Sequence, residues 1–448
     1  MKLAIIGGGG FRVPLVYGAL LAKRDTLAFD EIVLHDVDAG RLERIGGVLH
    51  GLAAERGGEL PFRVTTDLGD AVEGADFVFC AIRVGGLEGR VVDEAVPLSA
   101  GVLGQETTGP GGICFALRTI PAMIELAEKI ADRAPRAWLI NFTNPAGMVT
   151  EAVRQVLGDR VIGICDTPSA LCRRVARALG HSPDEMWFDY FGLNHLGWLQ
   201  AASDSTGDRL PELLEDDAAL AGFEEGRLFG GDWLRALGMI PNEYLYYFYF
   251  GADTVSTIRE QGQPRGAYLL ESQAAFYALD GQGPAQALGA WRATRDERDR
   301  TYMAEARSAA GVTDEHDDGG EPGGYEGEAL ALVEAIANNT RAIMILNTAN
   351  RSALPFLDEH AVVEVPAIVG RSGPVPVAIG PTPPHAQALV SQIKDVERTT
   401  IEAALSGSAE LAVRALAMHP LVPSVTVARD IFDGYRRRLP ELQERFAG

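Results

Sequence analysis

Through the first third of the chain, short apolar runs alternate with longer stretches whose apolar residues recur at helical spacing. Residues 2–8, "KLAIIGG", form an apolar run ending in glycine, which predicts a buried strand and a tight turn. "VPLVYGALLAK" (13–23) has helical spacing, "EIVLHDVD" (31–38) is a second strand and "AGRLERIGGVLHGLAAER" (39–56) a second helix. Three more apolar runs follow, "ADFVFCAI" (75–82), "AWLINF" (137–142) and "RVIGIC" (160–165). Helical patterns separate them, and "TIPAMIELAEKIADRA" (119–134) is the clearest. Strands that are apolar throughout need cover on both faces, so the alternation predicts a doubly wound parallel sheet. The fold class expected is α/β, with a Rossmann-like domain over residues 1–165.

The pattern after residue 165 is mixed, and residues 166–448 are expected to form an α+β substrate domain. "GLNHLGWLQAASD" (192–204) reads as a strand, and "GAYLLESQAAFYALDG" (266–281) and "EGEALALVEAIAN" (326–338) read as helices. "AIMILNTAN" (342–350) and "AVVEVPAIV" (361–369) read as strands, before closing helices over 388–407 and 423–439. The acidic, glycine-rich stretch 311–327 is expected to be an exposed loop.

Composition narrows the partners. The 448 residues carry a net charge of -22, which argues against a nucleic-acid partner but leaves room for a basic pocket. Four cysteines in so long a chain do not suggest a secreted disulfide scaffold. The N-terminal apolar run is too short for a signal peptide, and no stretch approaches the roughly 20 apolar residues of a membrane span. A soluble, reduced, cytoplasmic protein is expected.

Gly7 and Gly9, in "IIGGGGFRVP", occupy the first two positions of a dinucleotide fingerprint, while Arg12 stands where the third glycine would be. Asp36, at the end of the second predicted strand, is placed to accept hydrogen bonds from an adenosine ribose. A plain tight turn and a solvated acid would look similar one at a time. Together, in strand–turn–helix–strand order, they favour NAD, because the carboxylate would repel the extra phosphate of NADP. Cys165 and His195 are good transition-metal ligands, and two protein donors would leave positions open for substrate. As a bare pair they fit inert packing equally well.

A series of strings then carries a resemblance. "IGGGG" with "VPLV", "IRVGGLEGR", "GQETTGPGGICFALRTIP", "NFTNPAG", "GICDTP", "GLNHL", "IPNEYLYYF", "VVEVPAIV" and "AMHPLVPS" occur in this order over almost the whole chain. They resemble the NAD-dependent family 4 glycoside hydrolases, and within them the 6-phospho-β-glucosidases. The resemblance implies hydrolysis by oxidation, elimination, addition and reduction rather than by two carboxylates. It implies NAD and a divalent metal, usually Mn2+, as cofactors, with Cys165 and His195 as metal ligands and Tyr244 as the base at carbon 2. It further implies Asn144, Arg83 and Arg265 as substrate contacts and Asn141 as a loop or cofactor residue. Glu106 and Thr107 would lie near cofactor or metal, and a dimer or tetramer is the expected assembly.

Two positions depart from the family pattern. Phe11-Arg12-Val13 stands where small hydroxyl residues and a Tyr are common, which leaves Arg12 as the substitute phosphate contact. Asp166 stands where Asn is usual. The competing readings are a plain dehydrogenase of the lactate or malate type, which shares the fold and cofactor, a family 4 enzyme for unphosphorylated or α-linked sugars, and a catalytically silent NAD-dependent sugar sensor.

Overall fold

A computed structural model describes residues 1–261, 264–279, 281–312 and 324–447, so residues 313–323 of the acidic, glycine-rich stretch lie outside it. The strands β1 (Lys2–Ile6), β2 (Glu31–His35), β3 (Phe62–Thr65), β4 (Phe77–Cys80), β5 (Trp138–Asn141) and β6 (Val161–Gly163) are all parallel. They lie in the order β3-β2-β1-β4-β5-β6, that of a doubly wound dinucleotide-binding sheet. Strand order reverses between β1 and β4, so the loops after Ile6 and Cys80 diverge and open a crevice there.

The single strand expected over 192–204 is instead most of a hairpin. β7 (Trp187–Leu193) and β8 (Leu196–Asp204) are the arms of a hairpin, with Leu193 paired to Leu196 across a two-residue turn, Asn194-His195. Both arms are apolar, so nothing in the hydrophobic pattern marks the reversal. β9 (Gly207–Asp208) and β10 (Ile240–Pro241) lie beside β8 in this second sheet.

The chain after residue 165 also returns to the first sheet. β11 (Ala342–Ala349), β12 (Val362–Gly370) and β13 (Gly373–Pro376) extend it antiparallel beyond β6. One apolar core packs the helix Pro110–Arg133 against the late helices Pro384–Ser406 and Val425–Arg438. The core on the other face joins the helices Val13–Ala22 and Ala39–Glu55 to Pro284–Arg300 and Tyr325–Asn338. The early sheet therefore depends on late helices for its cover. All four cysteines are buried free thiols, and no described helix is long and apolar enough to cross a membrane.

Candidate active site

The crevice at the reversal of strand order is part of one cleft of about 1770 Å³. Gly7, Asp36, Arg12, Arg83, Asn144, Cys165, His195, Tyr244 and Arg265 all line it. Residues up to 258 positions apart in sequence thus share one wall system.

At the nucleotide end the backbone explains the glycines. Gly7 has φ +88, and a Cβ there would stand 2.7 Å from the Ala81 carbonyl oxygen on the neighbouring strand loop. A Cβ on Gly9 would stand 2.7 Å from Arg41 Cβ and 2.9 Å from Asp36 Oδ2. Asp36 Oδ2 accepts the Gly9 N–H at 3.0 Å and Oδ1 accepts Asp38 N–H at 3.1 Å, so the carboxylate anchors the turn. A carboxylate has about four acceptor sites, so two remain for ribose hydroxyls. Asp36→Ala is expected to weaken NAD+ binding about 10- to 100-fold and to narrow the preference over NADP+. Fluorescence titration with both cofactors checks this, and equal affinity of the unaltered protein for the two would refute the assignment.

Of the two roles expected for Asn141, loop or cofactor, the structure shows the loop one. Its side chain is fully buried and does not line the cleft. Nδ2 donates to the Thr143 and Ala146 carbonyls and to Thr150 Oγ1, while Oδ1 accepts the Thr143 N–H. It orders the "NFTNPAG" turn and, fully buried, does not reach the cleft where a cofactor would lie. Asn144, three residues on, lines the cleft with a buried Oδ1 that has no hydrogen-bond partner. A sugar hydroxyl would satisfy it.

His195 reaches the cleft because the hairpin tip is pinned. Asn194 Oδ1 accepts the Ala146 N–H at 3.1 Å and its Nδ2 donates to Glu364 Oε1 at 3.2 Å. Glu364 also accepts from Asn347 Nδ2 and Tyr190 Oη, yet burial, with Asp166, pushes its carboxyl up to about 7. His195 takes φ +62, stacks on the Tyr244 ring at 3.7 Å between centroids, and meets Thr107 Oγ1 through Nδ1 at 3.1 Å. Burial lowers its imidazole to about 4, against the pull of Asp166 and Glu106, so it is neutral near pH 7.

The donor set fits a transition metal. A neutral imidazole whose Nδ1 is held by Thr107 offers Nε2, the usual arrangement of a ligating histidine. Cys165 Sγ lies 3.3 Å from Thr167 Oγ1, and burial, then Glu364 and Asp166, push its thiol well up. A bound cation would reverse that cost. Among the described residues no group of three or more His, Cys, Asp or Glu side chains forms a metal cluster.

The opposite wall is basic. Glu106 bridges Arg83 and Arg90, and although burial pushes its carboxyl up, Arg83, Arg90 and Arg298 outweigh this and hold it near 2. Arg83 Nη1 is buried without a hydrogen-bond partner. The Arg12 guanidinium lies 5.9 Å over the Phe142 ring, whereas Phe11 packs inward on Phe276 and Trp291. Arg265 differs from expectation in part: both its Nη atoms donate to the carbonyls of Thr301 and Arg298, so it shapes the wall instead of offering a free fork.

Arg298 was not expected. It lies in the cleft wall without an ion-pair partner among the described residues, and desolvation, then Arg12, Arg265 and Arg90, lower its guanidinium to about 9. In sequence it sits within "RATRDERDR" (292–300), which reads as a solvated helix face. Glu243 and Tyr302, beside Tyr244, were also missed.

The sequence profile of family 4 glycosyl hydrolases matches residues 2–181, and that of the family's C-terminal domain matches residues 190–422. The chain belongs to family 4 of the glycosyl hydrolases. It is 32% identical to a 6-phospho-α-glucosidase of Leptotrichia buccalis over 448 residues, 96% of each chain. It is 30% identical to the 6-phospho-β-glucosidase of Thermotoga maritima over 438 residues, 97% of each chain. The structure of a Thermotoga maritima 6-phospho-β-glucosidase with manganese, NAD+ and glucose-6-phosphate superposes with TM-score 0.82 at 26% identity, covering 99% of both chains. NAD and a divalent metal, the cofactors expected from the sequence, are the pair that neighbour holds. A malate dehydrogenase from Aeropyrum pernix shares the fold alone, with TM-score 0.51 and 15% identity over 90% of this chain and 97% of that one.

Proposed function

We propose that this family 4 member hydrolyses 6-phosphoglucosides, β-linked ones in preference, by transient oxidation at carbon 3 of the sugar. The observation that carries the phosphate is the wall of Arg12, Arg83, Arg90 and Arg298, where Arg298 is crowded by like charges that Asp299 offsets only in part. A dianion relieves that repulsion, and a guanidinium fork matches phosphate oxygens. The β preference rests on the resemblance of the sequence to the 6-phospho-β-glucosidase subgroup, while relatives of similar identity are named for both linkages.

Bound NAD supplies a reversible hydride acceptor, and a bound divalent metal supplies Lewis acidity toward the oxygens on carbons 2 and 3. Cys165 and His195 would hold the metal, and the Gly7–Gly10 turn with Asp36 would hold the dinucleotide. Asn144 Oδ1 accepts a sugar hydroxyl and fixes the ring. The Tyr244 oxygen takes the proton on carbon 2, which a carbonyl at carbon 3 makes acidic. The aglycone then leaves carbon 1, and water adds in its place.

A panel of 4-nitrophenyl α- and β-glucosides, each with and without a 6-phosphate, tests the reading in the presence of NAD+ and Mn2+. Turnover of the phosphorylated β-glucoside should exceed the others, and equal kcat/KM without the phosphate would overturn the phosphate assignment. Arg298→Ala should raise KM for the phosphorylated sugar by about 30- to 100-fold, the worth of one charge-assisted contact.

A further inference from the structure

Tyr244 presents a difficulty as a base. An ordinary tyrosine ionises near pH 10. A neutral phenol that takes up a proton must give up its own, so something must receive that proton.

Two neighbouring side chains are arranged to do so. Tyr244 Oη lies 3.1 Å from Tyr302 Oη, and the Tyr302 hydroxyl donates to Glu243 Oε1 at 2.8 Å. Glu243 is 2% exposed, with Oε2 3.5 Å from Arg174 Nη2. Arg174 is itself held by the Glu225 carboxylate through Nε, at 3.0 Å, and Nη2. The local chain is fixed as well: Asn242 Oδ1 accepts the Tyr244 N–H, and Asn242 Nδ2 donates to Thr167 Oγ1.

The direction of the bonds follows from proton counting. A carboxylate only accepts, and each phenol has one proton. The Tyr302 proton is committed to Glu243, so the Tyr302 oxygen is the acceptor for the Tyr244 proton. That aims the Tyr244 hydroxyl hydrogen at Tyr302, another residue of the cleft wall, and leaves its lone pairs for the substrate.

We infer that Tyr302 and Glu243 are positioning residues that orient the Tyr244 hydroxyl and receive its proton, an inference that rests on the reading of Tyr244 as the base at carbon 2. As the proton on carbon 2 passes to Tyr244 Oη, the Tyr244 proton passes to Tyr302 Oη and the Tyr302 proton to Glu243 Oε1. The electron pair of the broken C–H bond stays on the sugar, and Glu243 becomes neutral while the Arg174–Glu225 pair persists. The same shifts in reverse protonate carbon 2 when water has added.

Three variants of the full chain test this: Tyr302→Phe, Glu243→Gln and Tyr244→Phe. Each keeps the size of its side chain, so loss of fold is readily detected as a fall in Tm. With NAD+, Mn2+ and 4-nitrophenyl 6-phospho-β-glucoside, Tyr302→Phe and Glu243→Gln should lower kcat at least tenfold with KM within twofold. The isotope effect from deuterium at carbon 2 should rise, and that from carbon 3 should not. Without cofactor, in protein labelled with 13C at the tyrosine Cζ, both variants should move the Tyr244 resonance, assigned by its absence in Tyr244→Phe.

If Tyr244→Phe loses activity but Tyr302→Phe keeps kcat and the carbon 2 isotope effect, the relay is wrong and the base stands. If Tyr244→Phe turns over normally, the base assignment falls and the relay with it. KM and Tm falling out of range together with kcat would mark the pair as packing and overturn the inference.

Discussion

Cys165→Ser and His195→Ala are each expected to lower turnover by about 1000-fold or more while NAD+ binding is retained. Cys165→Ser exchanges one atom in a buried position, so the core around it has little reason to change. Serine offers a neutral hydroxyl in place of the anionic thiolate, a much weaker donor to a divalent cation. His195→Ala removes both the second donor and the ring stacked on Tyr244, so its effect should be at least as large. Neither residue touches the glycine turn or Asp36, and NAD+ affinity should stay within about threefold. Metal content after desalting, turnover with added Mn2+ and NAD+ titration are the measurements. Activity that survives chelation in either variant would remove the metal assignment.

Chain spacing by itself disclosed the parts of the cleft built from neighbours, while Cys165, His195, Asn144 and Tyr244 were legible through the family strings. Gly7, Gly9 and Asp36 fall within one strand–turn–helix–strand unit, where spacing alone dictates geometry. Arg12 and Arg83 follow a strand end at the reversal of strand order, so topology delivers them to the cleft.

What stayed hidden depends on contacts across the fold. Arg298 looks like one charge among many on a polar helix, and only packing turns it toward Arg12 and Arg90. Tyr302 meets Tyr244 from 58 residues away, through a segment with no motif of its own. The hairpin at Asn194-His195 has apolar arms on both sides and no Asn-Gly signal, so its period is that of a continuous strand. β11–β13 read as strands, but nothing local says that they complete the first sheet. From the sequence, Asn141 is open between loop and cofactor. A carboxamide at a strand end suits a turn and a ligand equally, and four internal hydrogen bonds decide for the turn.

Turnover in D2O is expected to place deuterium on carbon 2 of the released sugar, and this separates the proposed route from hydrolysis by two carboxylates. In an ordinary glycosidase carbon 2 is never deprotonated, so its hydrogen is retained. In the proposed route Tyr244 takes that proton, and departure of the aglycone would admit water with which a phenolic proton exchanges. A hydron from solvent therefore returns to carbon 2 when water has added. Tyr244→Phe removes only the phenol oxygen from a ring held between His195 and Tyr247, so the fold should persist while the exchange is suppressed by about 100-fold or more. No NADH should accumulate in either protein, because the hydride returns within one turnover. Mass spectrometry and proton NMR of the released sugar measure the deuterium directly. Sugar formed in D2O with hydrogen still on carbon 2 would exclude elimination, and with it the role given to Tyr244.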